Sequence, residues 1–413
     1  ADDPDIAANK AHPTTFTWIK PPGSFCIQGD RPLNKFSESL VLKRISPIQT
    51  NRGKAVNVQD DEVPQIVVAI ASPTGLDVNS IIPIADTPII LNATQIPEPR
   101  KNNKTLIKKI VKKMQSKALI SYLMYEDGEI VIDQLSPPER FGDLINNDTM
   151  IYSQSLGKSL GGYLMGHAIC KGYINSLSSS LADWPIVQGT LLETATVQDV
   201  INASTGDQKY IMDHILSSGR DIGDLTIADI AKKELANTKP VKKRFNYSQF
   251  SPNVALNYIS FKTGHKFSSF INNVLNDHVG LAGKLEFNGI GDESKGVIQA
   301  NFKATRYDTL RIGIAILNDW NSDTCLGDYL RDVYANRISK GSYNMGDGYS
   351  KSYAGFFHTN YPGISDTVMG MDGYGGIALL INFDDNRIVY THAVHRNYNY
   401  KSLVLKAIDK GKF

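Results

Sequence analysis

Strand-forming text stands near both ends of this chain with helix-forming text between, and that order restricts the fold more than any other feature. Ala118-Leu-Ile-Ser-Tyr-Leu-Met-Tyr125 leads into Asp127-Gly128, a pair suited to a tight hairpin turn, and Glu129-Ile-Val-Ile-Asp133 follows. Far downstream, Ile377-Ala-Leu-Leu-Ile-Asn-Phe383 and Arg387-Ile-Val-Tyr-Thr-His-Ala-Val394 flank Asp384-Asp385-Asn386, and a last helix starts at Lys401. Between them Leu156–Ile174 reads as a long, mostly apolar helix, and helices and loops dominate from Thr196 to about Asp332. Distant strands share one sheet when the intervening chain packs as its own layer. The expected fold is α/β (α+β), an antiparallel sheet from both chain ends flanked by helices, with an inserted helical domain. The expected limits are an irregular arm with short strands over 1–100, a sheet domain over 101–175 and 295–413, and a helical domain over 176–294.

Pro13, Pro21, Pro22, Pro32 and Pro47 break every candidate helix in the first part of the chain, which reads as an extended arm. Gln65–Asn92 is β-like, and Pro97-Glu98-Pro99 marks a break. Lys101–Lys117 carries seven lysines around Leu106, Ile107, Ile110, Val111 and Met114, a helical stripe. Its basic side is either a solvated face or a contact for an anionic surface.

Several functional classes fall away on composition. Forty-four Lys and Arg against 42 Asp and Glu leave +2, too little to argue for nucleic acid as the main partner. No apolar run approaches the ~20 residues that span a bilayer. Three cysteines, Cys26, Cys170 and Cys325, make no disulfide framework; Cys170 reads as a small buried hydrophobe, and one bridge is allowed but not required. The chain opens Ala-Asp-Asp without Met or an apolar leader, as a periplasmic or secreted protein does after its signal is removed, and a trimmed chain would look the same. The sequence points to no cofactor and leaves the oligomeric state open.

Chemistry concentrates where a polar loop becomes the apolar helix, at Ser153-Gln-Ser155-Leu-Gly-Lys158-Ser-Leu-Gly-Gly-Tyr163. Residues three apart share a helix face, so Ser155 Oγ and Lys158 Nζ can meet. A serine hydroxyl is a poor nucleophile until a neighbouring base takes its proton. For a lysine to be that base near neutrality, its pKa must fall ~3 units from about 10.4, through burial or a like charge. Leu156, Leu160 and Leu164 can supply the burial. Ser-x-x-Lys alone is weak, because a chain rich in Ser and Lys contains such spacings by chance.

Five segments in order make it stronger. The stretch from Ser153 to Ile174 resembles the nucleophile helix of the β-lactamase-related serine hydrolases, a superfamily of class C β-lactamases, D-alanyl-D-alanine carboxypeptidases, family VIII esterases and 6-aminohexanoate-dimer hydrolase. Thr196–Gly206 is similar to the family helix that ends in Thr-Ser-Gly. Phe245-Asn-Tyr247-Ser248-Gln249, followed by Asn253-Val-Ala-Leu-Asn-Tyr-Ile259 and Thr263-Gly264, is similar to its tyrosine motif and next helix. Ala300-Asn-Phe-Lys-Ala-Thr-Arg306-Tyr-Asp308 looks like its Thr-Ala-Arg-Asp segment, and Gly370-Met-Asp-Gly-Tyr374-Gly-Gly-Ile377 like its third motif on an edge strand. The resemblance runs from about Lys117 to the C-terminus.

It implies a β-lactamase/penicillin-binding-protein-like fold and an acyl-enzyme reaction on a small ester or linear amide, the work of a carboxylesterase or amidase. Ser155 is then the nucleophile, Lys158 its proton acceptor and Tyr247 the partner base and later proton donor. The backbone N–H groups of Ser155 and Ile377 form the oxyanion hole. The resemblance places Gln249, Tyr374, Gly375 and Gly376 at the substrate, while Asp207, Gln208 and Tyr210 are candidate contacts. The bland reading of Tyr247 is a packed tyrosine with a hydrogen-bonded hydroxyl, and that of Gly375-Gly376 is a bulge. Arg306 and Asp308 read as structural.

Two departures bear on substrate. The family's Tyr-x-Asn is Tyr247-Ser248-Gln249, and Tyr374 stands where many members have Lys or His. A phenol provides no fixed cation for the carboxylate of β-lactam and D-Ala-D-Ala substrates. Alternatives stay open: a penicillin-binding protein, D-alanyl-D-alanine carboxypeptidase or β-lactamase-like enzyme, or a catalytically silent binding protein of this fold. Lys262-Thr263-Gly264 mimics the third motif but ends a helix. Gly157-Lys158-Ser159-Leu160-Gly161 spells Gly-x-Ser-x-Gly and keeps Ser159 as a rival nucleophile, although that elbow needs a strand leading into the serine. No metal site is expected: His392 and His395 lack carboxylate support and no His-Glu-x-x-His occurs.

Overall fold

The computed structural model describes residues 104–116, 118–211, 226–283, 285–287, 297–341, 349–393 and 401–411. The expected arm and the strands of Gln65–Asn92 lie outside the described residues, as does His395. In chain order the principal elements begin with α1 (Lys104–Ser116), β1 (Leu119–Glu126), β2 (Glu129–Leu135), β3 (Ile151–Tyr152) and α2 (Leu156–Cys170). Then come α3 (Val197–Ile201), α4 (Ile227–Lys233), α5 (Phe250–Lys262), α6 (Phe267–Asn272), a π-helical turn (Asn273–His278) and β4 (Glu286–Phe287). The last part holds β5 (Phe302–Ala304), α7 (Arg306–Trp320), α8 (Cys325–Ala335), β6 (Ile338–Ser339), β7 (Ser352–Ala354), β8 (Phe357–Thr359), β9 (Val368–Gly373), β10 (Ile377–Asn382), β11 (Arg387–Ala393) and α9 (Lys401–Lys410).

The two ends of the described chain meet in one antiparallel sheet of order β2-β1-β11-β10-β9-β8-β7-β6. Tyr122 faces Thr391 across the β1–β11 join, and Leu379 faces Tyr390 across β10–β11. Both faces of this sheet are covered. On β10, Leu379 and Ile381 enter the larger core with α2 and α5, whereas Ala378 and Leu380 enter a smaller one with α1 and α9. A strand buried on both faces reads as a continuous apolar run rather than an alternation, as Ile377–Phe383 does.

The third-motif segment is a correction. β10 lies inside the sheet, with β9 and then β8, β7 and β6 beyond it, so the turn from Gly373 to Ile377 is not on an edge strand. Strands β6, β7 and β8 have two or three residues each, too few for a period-two pattern to stand out. On α1, Leu106, Ile110 and Met114 are buried while Lys104, Lys108, Lys109 and Lys112 are exposed, a solvated basic face over an apolar stripe.

α2 is the central helix. Its residues from Leu156 to Ala168 are all buried, which suits a helix apolar on every side. Gly162 permits that burial, because a Cβ there would overlap the backbone carbonyl of Gly355. The far end of α2 is tied to the start of α8 by a Cys170–Cys325 disulfide. The bridge that the sequence left optional is formed, and Cys170 is therefore not merely a packed thiol.

Candidate active site

Ser155 stands at the mouth of α2, in a turn fixed from both sides. Ser153 N–H donates to Phe302 O at 2.7 Å, and Phe302 N–H donates to Ser153 Oγ at 2.9 Å. These bonds lock the approach to the helix onto β5. Gln154 then takes φ +50°, a left-handed conformation unfavourable for a residue with a Cβ, and such residues cluster at functional sites. The backbone of Gly373, at the end of β9, packs against this turn; an ideal Cβ on Gly373 would lie 2.6 Å from Ser153 O. The turn holding Tyr374, Gly375 and Gly376 therefore follows directly from a residue touching the Ser155 approach, with Gly375 and Gly376 at φ +87° and +88°.

One helical turn brings Lys158 back over the serine, with Nζ 2.9 Å from Ser155 Oγ. Lys158 is only 3% exposed, so the amine is held in a largely water-free position. It also donates to Gln249 Oε1 at 2.5 Å and lies 4.8 Å from the centre of the Tyr247 ring. A neighbour from its own helical turn and two side chains remote in sequence thus converge on one amine. Gln249 caps α5 and Tyr247 lies two residues before it. α5 is pinned against the segment entering β5: Asn253 Oδ1 accepts from Ala300 N–H at 2.9 Å, and Asn257 Nδ2 donates to Ile298 O at 2.8 Å.

The candidate contacts preceding the tyrosine differ from expectation. Asp207 is fully buried and does not present its carboxylate to solvent. Its Oδ1 accepts from Asn246 Nδ2 at 3.0 Å, and burial pushes the carboxyl pKa up. Asn246 N–H donates to Ala203 O at 2.8 Å. Asp207 therefore anchors the residue next to Tyr247. Tyr210 OH donates to Lys239 O at 3.1 Å, and Gln208 Nε2 donates to Lys242 O at 2.9 Å, so both brace the same pair of segments. Tyr374 is 46% exposed at the tip of the β9–β10 turn.

Behind Tyr247 lies a polar group that no sequence pattern announced. The His358 ring is 6.1 Å from the Tyr247 ring, and Lys340 Nζ is 3.2 Å from His358 Nδ1 and 2.7 Å from Ser350 Oγ, all three residues being buried. They come from β8 and from the chain flanking β6 and β7, segments too short and irregular to place from sequence.

The rival motifs have other surroundings. Ser159 is buried, and its hydroxyl donates to Phe356 O at 2.7 Å. It lies within the first turns of a helix, with no strand running into it. Lys262 ends α5 and pairs with Asp183, while Thr263 and Gly264 cap the helix. Arg306 is buried among Asp133, Ser121 and Asn147, and Asp308 accepts from the N–H groups of Ala282 and Gly283. Both hold the framework together.

No helix among the described residues is long and apolar enough to cross a membrane. No protein-family model matches the chain, and no curated protein sequence matches it. Solved structures do. A Bacillus anthracis protein described as a 6-aminohexanoate-dimer hydrolase is 16% identical with a TM-score of 0.54, over 73% of this chain and 81% of that one. EstCE1, described as a hydrolase with promiscuous acyltransferase activity, is 10% identical with a TM-score of 0.55, over 72% and 94% of the two chains. A penicillin-binding-protein homologue from Caulobacter crescentus is 13% identical with a TM-score of 0.54, over 73% and 94%. Mixed helices on an antiparallel sheet, the helix that opens at Ser155 and these three likenesses agree: this chain has the fold of the β-lactamase-related serine hydrolases.

Proposed function

We propose that this protein is a serine hydrolase that cleaves a carboxylic ester or linear amide through an acyl-enzyme on Ser155. The observation that carries this reading is the buried Lys158 amine 2.9 Å from a half-buried serine hydroxyl. In its neutral form the amine can give one N–H to Gln249 Oε1, an atom that can only accept, and keep its lone pair for the Ser155 proton. Ser155 Oγ attacks the carbonyl carbon as its proton passes to Lys158 Nζ. The backbone N–H groups of Ser155 and Ile377 receive the negative charge on the carbonyl oxygen. Tyr247 relays the proton to the departing alcohol or amine. Water then attacks the acyl-serine ester, releasing the acid and returning the proton to Oγ.

An ester is the better first substrate, because an alkoxide leaves more readily than an unprotonated amine. Tyr374 supplies no cation for a substrate carboxylate, which favours a neutral acyl group over a β-lactam. Tyr374, Gly375, Gly376 and Gln249 border the acyl group in this reading. Hydrolysis of short p-nitrophenyl esters, and then of 6-aminohexanoate dimers, tests it. Wild-type turnover lost in Ser155→Ala supports the proposal; equal rates in both proteins end it.

The likeness to a penicillin-binding-protein homologue favours a second reading, a peptidoglycan carboxypeptidase. Covalent labelling of Ser155 by a fluorescent penicillin, without ester turnover, selects it. For location, the Cys170–Cys325 bridge favours an oxidising compartment such as the periplasm or the exterior, since disulfides seldom persist in a reducing cytosol.

A further inference from the structure

At the end of α2 remote from the nucleophile, three side chains from separate elements converge. His167 comes from the last turn of α2, His278 from the π-helical turn and Asp319 from the C-terminal end of α7. One ligand atom from each lies within 4.8 Å of the other two. His278 Nε2 is 3.0 and 2.9 Å from the two Asp319 oxygens, and the two imidazole rings are 4.8 Å apart edge to face.

We propose that His167, His278 and Asp319 form a binding site for one divalent zinc-class metal ion. Two imidazole nitrogens and one carboxylate oxygen, with a fourth position left open, are a donor set that zinc accepts. The independent observation is His167 Nε2. His167 is 3% exposed, and its Nε2 is buried with no hydrogen-bond partner among the described residues. A buried polar atom without a partner needs a physical reason, and a cation shared with His278 and Asp319 provides one.

The surroundings match a metal site in two further ways. Tyr163 OH donates to Asp319 Oδ2, holding the carboxylate in place as second partners of metal ligands do. A cavity of about 120 Å³, lined by His278, Val279, Arg311, Ile314, Ala315, Asn318 and Asp319, opens the cluster to the surface, and the Arg311 guanidinium there is paired with Asp308 at 2.7 Å. His278 is 40% exposed at its rim, so an ion can enter without the core opening. The ligand atoms of a tetrahedral zinc at ~2.0–2.1 Å sit roughly 3.3 Å apart, so occupancy replaces the direct His278–Asp319 contact of 2.9–3.0 Å and draws His167 toward the pair. π-Helical turns such as Asn273–His278 occur frequently at functional sites, because they re-aim a side chain that a regular helix would carry past.

The test is zinc titration by calorimetry on the tag-free full-length protein after chelator treatment and dialysis, with cobalt absorption as a second readout. The proposal predicts one equivalent bound, a tetrahedral cobalt band and a higher Tm with zinc. His278→Ala, at the exposed rim, should fold and keep its Ser155-dependent esterase rate while losing at least tenfold in zinc affinity. Tyr163→Phe should weaken affinity about tenfold or more through the carboxylate alone. No binding by the wild type, or equal binding by His278→Ala, overturns the proposal. Because the readout is metal affinity, it stands or falls separately from the acyl-enzyme.

Discussion

Gln249 Oε1 lies 2.5 Å from Lys158 Nζ, although 91 positions separate the two residues in the chain. The same nitrogen reaches Ser155 Oγ at 2.9 Å. The amide one methylene longer than the family's asparagine is therefore drawn to the base. It serves the proposed proton transfer before it serves any substrate.

That contact sets the first prediction. Gln249→Leu removes the acceptor that orients the neutral amine, and an ordinary hydrogen bond contributes about 0.5–1.5 kcal/mol, so kcat for ester hydrolysis should fall about 2- to 13-fold. Gln249→Glu places a carboxylate beside the amine and favours its protonated form. The rising limb of the pH–rate profile should move to higher pH in that variant, and an unshifted limb would remove Gln249 from the base.

The covalent tie from α2 to α8 should be worth stability. The Cys170–Cys325 bridge closes a loop of 155 positions, and disulfides of this kind typically contribute about 2–4 kcal/mol. Cys170→Ala with Cys325→Ala should lower Tm by several degrees, and reductant should do the same to wild type alone. Equal Tm values with and without reductant would contradict this.

Gly162 should tolerate no side chain. An alanine methyl would overlap Gly355 O, a backbone atom that moves only with the strand turn it belongs to. Gly162→Ala should cost about 1–3 kcal/mol, read from urea midpoints, with ester KM unchanged for the folded fraction. A neutral substitution would mean that α2 stands farther from the Gly355 turn between β7 and β8 than a methyl group requires.

Stability should also depend on pH through His392. Burial pushes its pKa from 6.5 to about 3 in the fold. Between those values the unfolded chain takes up a proton that the folded chain refuses, so stability is full above 6.5 and is lost as pH falls toward 3. Urea midpoints should drop between about pH 7.5 and about pH 4.5, and the drop should be smaller in His392→Leu. A profile unchanged by that substitution would assign the acid sensitivity to other groups.

The parts of the fold that the sequence discloses are those whose determinants are local. Ser155 and Lys158 lie one helical turn apart, and Asp127-Gly128 marks its hairpin within two residues. β10 and β11 show as apolar runs because both of their faces are covered. What depended on distant partners stayed hidden. β6 to β8 are too short to carry a pattern, so the turn at Tyr374 was assigned to an edge when four further strands follow β10. Asp207 reads as a substrate contact because it follows the Thr-Gly turn facing the expected cleft; in the fold it is fully buried and bonded to Asn246, 39 positions away. The pairing of Cys170 with Cys325 and the meeting of His167, His278 and Asp319 each join separate helices, and no spacing along the chain encodes them.

The most direct test is intact-protein mass measurement after a fluorophosphonate is added to wild type and to Ser155→Ala, with the modified peptide sequenced. A single adduct on Ser155 in wild type, absent from the variant, is the predicted result. No adduct, or one carried by Ser159 in both proteins, would contradict a nucleophile activated by Lys158.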